Sequence, residues 1–301
     1  MFKLVKSSLL VFTVSLTLFV SMSFSQVARV SPRLSALESF NDYIVLIGDE
    51  REREGLIKEF YTEFNPNSPK LSTHLIVRDH VRLNYPEAYH VVEIADTSRA
   101  IGMVVDVYRN KFFEPGTQRR RWHREHVWPK SLGYVRNNRC NSPYTDCHAL
   151  FAVYPPDNSS RRNKPFDFCR TDDCRQRPVE NTTKQFFNLV NARVWETWDG
   201  RKGDVARACF YMAVRYMGSY NEILQCDEPN LILTDNLAQV VSHDENQPEG
   251  FMGKLSTLIQ WHRMDPPSEQ EMWRNDVVFY YQHNRNPFID NPHWVEMIWG
   301  E

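Results

Sequence analysis

The sequence has no surplus of positive charge, no cysteine pair at CxxC spacing, no HExxH, no internal repeat and no low-complexity tract. A formal net charge of −2 excludes global attraction to polyanions, so any nucleic-acid binding has to come from a local patch. Without CxxC pairs a structural zinc centre has no ligand frame. The stretch His123-x-Glu125-His126 lacks the spacing that sets two imidazoles on one helix face, which removes the zinc-hydrolase reading. The absence of repeats excludes solenoids and propellers. Beyond the first 25 residues no segment is apolar enough to span a bilayer, whose core takes about 20 residues of helix to cross.

What remains is a chain of 301 residues, 42% hydrophobic and 25% charged, in the range of a globular protein with a sizeable core. At the N-terminus Lys3 and Lys6 precede an apolar run from Leu9 to Val20, and Ser23 and Ser25 follow at the spacing of a signal-peptidase site. Residues 1–25 therefore read as a signal peptide, with a secreted or periplasmic mature chain of residues 26–301. That chain is expected to leave the membrane and to act as a monomer. Loss of Lys3 and Lys6, with no acid, takes the net charge from −2 to −4.

Against that acidic balance, the segment from Thr117 to Lys164 carries ten Lys or Arg and three Asp or Glu. This is the asymmetry of a phosphate-binding patch, or of an ordinary solvated face. All six cysteines lie in the exported part, where disulfides form. Sequence order suggests Cys140 with Cys147, Cys169 with Cys174 and Cys209 with Cys226, one of fifteen complete pairings.

The segment from Ser31 to about Asp96 reads as a mostly helical flank, and Met103 to Tyr108 as a strand leading into the basic region. Val205, Ala208, Cys209, Met212, Ala213 and Tyr216 fall on one helical stripe, with Asp204 as the candidate N-cap. A further helix is expected from Ser268 to about His283, after Pro266 and Pro267. No flexible linker separates these elements. The fold class is α+β in a single mixed, largely helical domain.

Two clusters carry chemistry: Arg124-Glu125-His126-Val127-Trp128-Pro129-Lys130, and Asp146-Cys147-His148 followed by Asn158, Arg161 and Asn163. Phosphodiester hydrolysis needs a deprotonated water, a cation on the phosphate and help for the departing oxygen. An imidazole titrating near neutrality suits the first task. Glu125 and the side-chain carbonyl of Asn158 are hard oxygen donors of the kind magnesium accepts. Arginine adds charge-assisted hydrogen bonds to the phosphate.

In this order and spacing, Arg124-Glu125-His126-Val127-Trp128-Pro129, Asp146-x-His148 and Asn158-x-x-Arg161 resemble the endonuclease I family of ββα-metal (His-Me finger) nucleases. The similarity continues through Lys202 to Arg207, Trp261-His262, Asp265-Pro266-Pro267 and Asn284 to Asp290. It implies a ββα-metal core at about residues 119–168, with one Mg2+ held by Glu125 and Asn158 and with His126 as general base. It also implies a sequence-non-specific endonuclease acting on DNA and possibly RNA, leaving 5′-phosphate and 3′-hydroxyl ends. His126 would lie on a strand and Asn158 on the facing helix.

By the same comparison Asp146 and His148 would support the unit. The transition-state arginine would come from the loop before Asp146, where Arg136 and Arg139 both qualify and Arg139 is preferred. Arg124, Lys130, Arg161, Arg162 and Lys164 are candidates for substrate phosphates. Because neighbouring strand residues face opposite ways, a bulge or bend near Pro129 is expected to let Glu125 and His126 converge. The alternative is a secreted nucleic-acid-binding protein of the same fold without turnover.

Overall fold

The computed structural model describes residues 39–242 and 249–300; the expected signal peptide lies outside the described residues. The described residues divide into two compact units, one ending at Phe60 and the other beginning at Tyr61. In the first, helices α1 (Phe40–Gly48) and α2 (Glu50–Phe60) are described, and the Ser39 side chain caps α1 by accepting from the Asp42 amide.

The larger unit begins with α3 (Pro69–Val77) and α4 (Tyr85–Asp96). A reciprocal box fixes the start of α4: Asn84 accepts from the Glu87 amide and the Glu87 carboxylate accepts from the Asn84 amide. The strand expected over Met103–Tyr108 is shorter. Only β1 (Val104–Val105) pairs, with β2 (Phe112–Phe113), because Asp106 accepts the amides of Tyr108 and Arg109 and turns the chain.

Next come β3 (His123–His126), β4 (Leu150–Val153) and α5 (Pro155–Arg161), then the small sheet β5 (Arg175–Pro178), β6 (Phe187–Val190) and β7 (Trp195–Glu196). The long helix α6 (Lys202–Arg215) follows, then the hairpin β8 (Tyr220–Asn221) and β9 (Cys226–Asp227). Strands β10 (Asn230–Leu233) and β11 (Glu249–Met252) pair in parallel. Helices α7 (Leu255–Met264), α8 (Glu269–Gln282), α9 (Pro287–Asp290) and α10 (Trp294–Trp299) close the chain.

Helix α6 is the centre of this unit: all fourteen of its residues are buried, and it packs on α3, α7, α9 and β10. Burying charge on every side is costly unless each group finds a partner. Accordingly Lys202 pairs with Glu196, Arg207 with Glu271 and Arg215 with Glu228. The helix starts three residues earlier than its apolar stripe implies, and Asp204 is not its cap; it lies in the first turn and binds Arg201. Gly203 permits this start, since a Cβ there would overlap the Asp265 carbonyl oxygen. Helix α8 begins as expected, with the Ser268 hydroxyl accepting from the Glu271 amide at 3.2 Å.

The cysteine pairing differs from sequence order. Cys169 joins Cys174, but Cys140 joins Cys226, and Cys147 and Cys209 are buried free thiols. Cys209 is held inside α6, where it packs as a small apolar side chain. Cys147 sits beneath α4 against the Ala88 carbonyl. Neither can reach a partner, whereas Cys140 and Cys226 face each other with Cα atoms 5.9 Å apart.

Candidate active site

The site is built on the antiparallel pair β3–β4 and on α5, a strand–strand–helix unit. Glu125 pairs with Phe151 and His126 with Leu150, without a bulge from His123 to His126. The chain bends directly afterwards, at Val127 and Trp128. Pro155 and Pro156 open α5, where missing amides leave nothing unsatisfied. The helix lies along β3, and the Asn158 amide reaches the Arg124 carbonyl at 3.5 Å.

A cavity of about 460 Å³ opens there, lined among others by Arg124, Glu125, His126, Lys130, Asn158 and Arg162. Glu125 is 2% exposed. Its Oε1 accepts from the Tyr108 hydroxyl at 2.8 Å and lies 3.3 Å from Arg161 Nη1. Its Oε2 accepts no hydrogen bond from the described residues. Burial pushes the carboxyl up to about 7, while Arg161 and the Tyr108 hydrogen bond oppose the rise.

His126 is half-buried, with Nε2 3.1 Å from the Tyr144 carbonyl. A carbonyl can only accept, so Nε2 carries the hydrogen and Nδ1 keeps its lone pair. Burial lowers this imidazole to about 3; the Tyr144 carbonyl raises it, and Arg124, Lys130 and Arg161 add to the fall. The ring is therefore neutral at physiological pH. The Asn158 carboxamide has its nitrogen directed at β3 and its Oδ1 without a partner among the described residues.

The cations divide into two groups. Lys130 and Arg162 are exposed on the cavity, and the Lys130 ammonium donates to the Tyr144 hydroxyl at 3.2 Å. Arg124 is buried, its guanidinium 3.5 and 3.9 Å from the Tyr85 and Tyr89 ring centres. Arg161, expected on phosphate, is wholly buried. It donates to the carbonyls of His126, at 3.2 Å, and Val127, at 2.6 Å. Lys164 donates to the Ser160 carbonyl and does not line the cavity. Arg136 and Arg139 are exposed in the preceding loop, also outside the lining.

Asp146 and His148 are buried away from the cavity. Asp146 accepts from Tyr211, Tyr216, Gln282 and the His148 amide. Burial works to raise its carboxyl, but His80, His148 and these donors outweigh it and hold it at about 2. His148 Nε2 donates to the Asn284 carbonyl at 2.9 Å. The pair thus ties the base of the β3–β4 unit to α6 and to the end of α8.

Three contributors were not visible in the motifs: Tyr108, which holds Glu125; Tyr144, whose carbonyl orients His126; and Tyr85, which covers Arg124 and lines the cavity. The run into Tyr108 reads as strand, and a backbone carbonyl leaves no trace in residue identity.

A carboxylate oxygen, a carboxamide oxygen and an imidazole nitrogen, each without a partner among the described residues, stand on one strand–strand–helix unit, and similarity to known proteins makes the chain a hydrolase acting on nucleic-acid phosphodiester bonds. The chain matches the endonuclease I family over residues 75–293 and belongs to it. It is 35% identical over 238 residues to an extracellular ribonuclease of Bacillus subtilis (strain 168), covering 77% of this chain and 74% of that one. The extracellular ribonuclease of Bacillus amyloliquefaciens is likewise 35% identical over 236 residues, 76% and 73% of the two chains.

Proposed function

We propose that this chain is a secreted, magnesium-dependent endonuclease that cuts RNA and DNA without sequence preference. One observation carries the reading: Glu125 Oε2, Asn158 Oδ1 and His126 Nδ1 have no partner among the described residues and belong to side chains lining the same cavity. Both oxygens are hard donors, and the described residues hold no group of three or more His, Cys, Asp or Glu of the kind that cages a softer metal. That set suits Mg2+, which keeps several waters and takes substrate phosphate. When bound, the ion would polarise the phosphoryl group and ease loss of the leaving oxygen.

His126 Nδ1 accepts a proton from the attacking water, and the Nε2–H bond to Tyr144 holds the ring in that tautomer. Phosphate beside the imidazolium stabilises the charge it gains. Lys130 and Arg162 bind backbone phosphates at the cavity mouth, with Arg124 beside them. Nothing among the described residues resembles a base-reading helix, so little base discrimination is expected. RNA as a substrate is supported by the names of the two relatives, and export by those names and by the N-terminal 25 residues. The monomer is the simplest state for a site drawn from one chain.

The test is incubation with supercoiled plasmid and with a long RNA, each with Mg2+ and with chelator. Nicking of both substrates, abolished by chelator and leaving 5′-phosphate ends, is the expected result. Chelator-insensitive cleavage would overturn the metal assignment, and cleavage of neither substrate would leave the non-catalytic binding protein.

A further inference from the structure

We infer that Tyr108 and Arg161 are positioning residues that occupy Oε1 of Glu125 and thereby present Oε2 to the metal. The inference rests on the proposed role of Glu125 as metal ligand. Both contacts fall on the same oxygen: the Tyr108 hydroxyl at 2.8 Å and Arg161 Nη1 at 3.3 Å. All three side chains are at least 98% buried, so neither contact exchanges freely with water.

Arg161 does more than touch the carboxylate. The same guanidinium donates to the carbonyls of His126 and Val127, which closes off the end of β3. It stands three residues after Asn158 on α5. One buried cation therefore fixes Glu125, the backbone of His126 and the helix that carries Asn158. A buried arginine fork with four oxygen partners, the Arg162 carbonyl at 3.2 Å among them, sets geometry more tightly than a lysine could. Arg161 is in this way a link between the two metal donors and the base, and its burial removes it from direct contact with substrate.

Tyr108 supplies the second restraint from a different segment, the turn after β1. Its ring packs 4.8 Å from that of Trp195, and its carbonyl accepts from Asn188 at 2.6 Å. Its position is thus set by the sheet β5–β6–β7, and Phe would keep the packing while removing only the hydroxyl. Outer partners of this kind are worth about 10–100-fold in metal affinity.

The experiment is calorimetric titration of the exported protein with Mg2+, and with Mn2+ as a second probe, for wild type, Tyr108→Phe, Arg161→Lys, Glu125→Gln and the double variant Tyr108→Phe with Glu125→Gln. Melting temperature and the salt dependence of nucleic-acid binding are recorded alongside. The expected result is about a ten-fold weaker metal Kd for Tyr108→Phe, with an unchanged salt slope and with turnover largely restored by excess metal. Arg161→Lys is expected to weaken metal binding at least as much, and the Tyr108 effect is expected to vanish in the Glu125→Gln background. If Glu125→Gln weakens metal binding and Tyr108→Phe leaves it at wild-type strength, the positioning role is wrong although Glu125 remains a ligand. If Glu125→Gln itself leaves the Kd unchanged, the ligand assignment and this inference both fall. A shallower salt slope for Arg161→Lys would return that residue to phosphate contact and overturn its part here.

Discussion

The Nε2–H of His126 donates to the backbone carbonyl of Tyr144 at 3.1 Å, and this bond decides which ring nitrogen is free to act as base. Burial keeps the ring at about 3, so it is unprotonated through the neutral range and takes up a proton only well below pH 5. Nitrogen-15 NMR of the substrate-free protein should show the Nε2–H tautomer from pH 8 to pH 5 with no inflection near 6.5. A titration near 6.5 would contradict it.

Glu125 behaves in the opposite sense. Burial raises it to about 7, so in the metal-free protein it holds a proton below that pH, and a cation must displace the proton to bind. Apparent metal affinity should fall about ten-fold per pH unit below 7 and level off above it. Titrations at pH 5.5, 6.5 and 8 check this, and equal affinity at all three would show that the carboxyl is already ionised.

The sequence makes the donors readable and leaves their restraints hidden. Glu125, His126 and Asn158 stand out because their residue types and spacing match a known chemistry. Arg161 stands in the same motif but was misread, because adjacency to Asn158 suggests a basic face while the fold turns the side chain inward, onto β3. Tyr108 and the Tyr144 carbonyl act through contacts 17 and 18 residues away, which no local pattern reveals. The helices α6 and α8 were legible from apolar period and capping. The disulfide from Cys140 was not, because loop closure over 86 residues depends on where α6 delivers the β8–β9 hairpin.

Asp146 accepts from groups at positions 148, 211, 216 and 282, so its loss is structural. Asp146→Ala is expected to cost about 3–5 kcal/mol, as removal of a buried network partner does. Its carboxyl is held at about 2 against 3.8 unfolded. The stabilisation is therefore complete above pH 3.8 and lost as pH falls through 2. Urea unfolding at pH 7 and pH 3 measures both effects; a loss under 1 kcal/mol at pH 7 would be inconsistent with this network.

The two disulfides should differ in worth. Chain-entropy arguments give about 4–5 kcal/mol for Cys140–Cys226, which closes 86 residues, and about 2 kcal/mol for Cys169–Cys174, which closes 5. Paired Cys→Ser variants compared by denaturant unfolding test the order, and a larger loss for the 169/174 pair would reverse it.

The central claim is that His126, Glu125 and Asn158 perform hydrolysis on nucleic acid that other residues bind. Its most direct measurement compares single-turnover cleavage of RNA and of plasmid by wild type, His126→Ala, Glu125→Gln and Asn158→Ala at saturating Mg2+, with substrate affinity measured in parallel. The account predicts that His126→Ala slows cleavage by about 10²–10⁴-fold, with affinity and its salt slope unchanged. Cleavage by His126→Ala at the wild-type rate would contradict it.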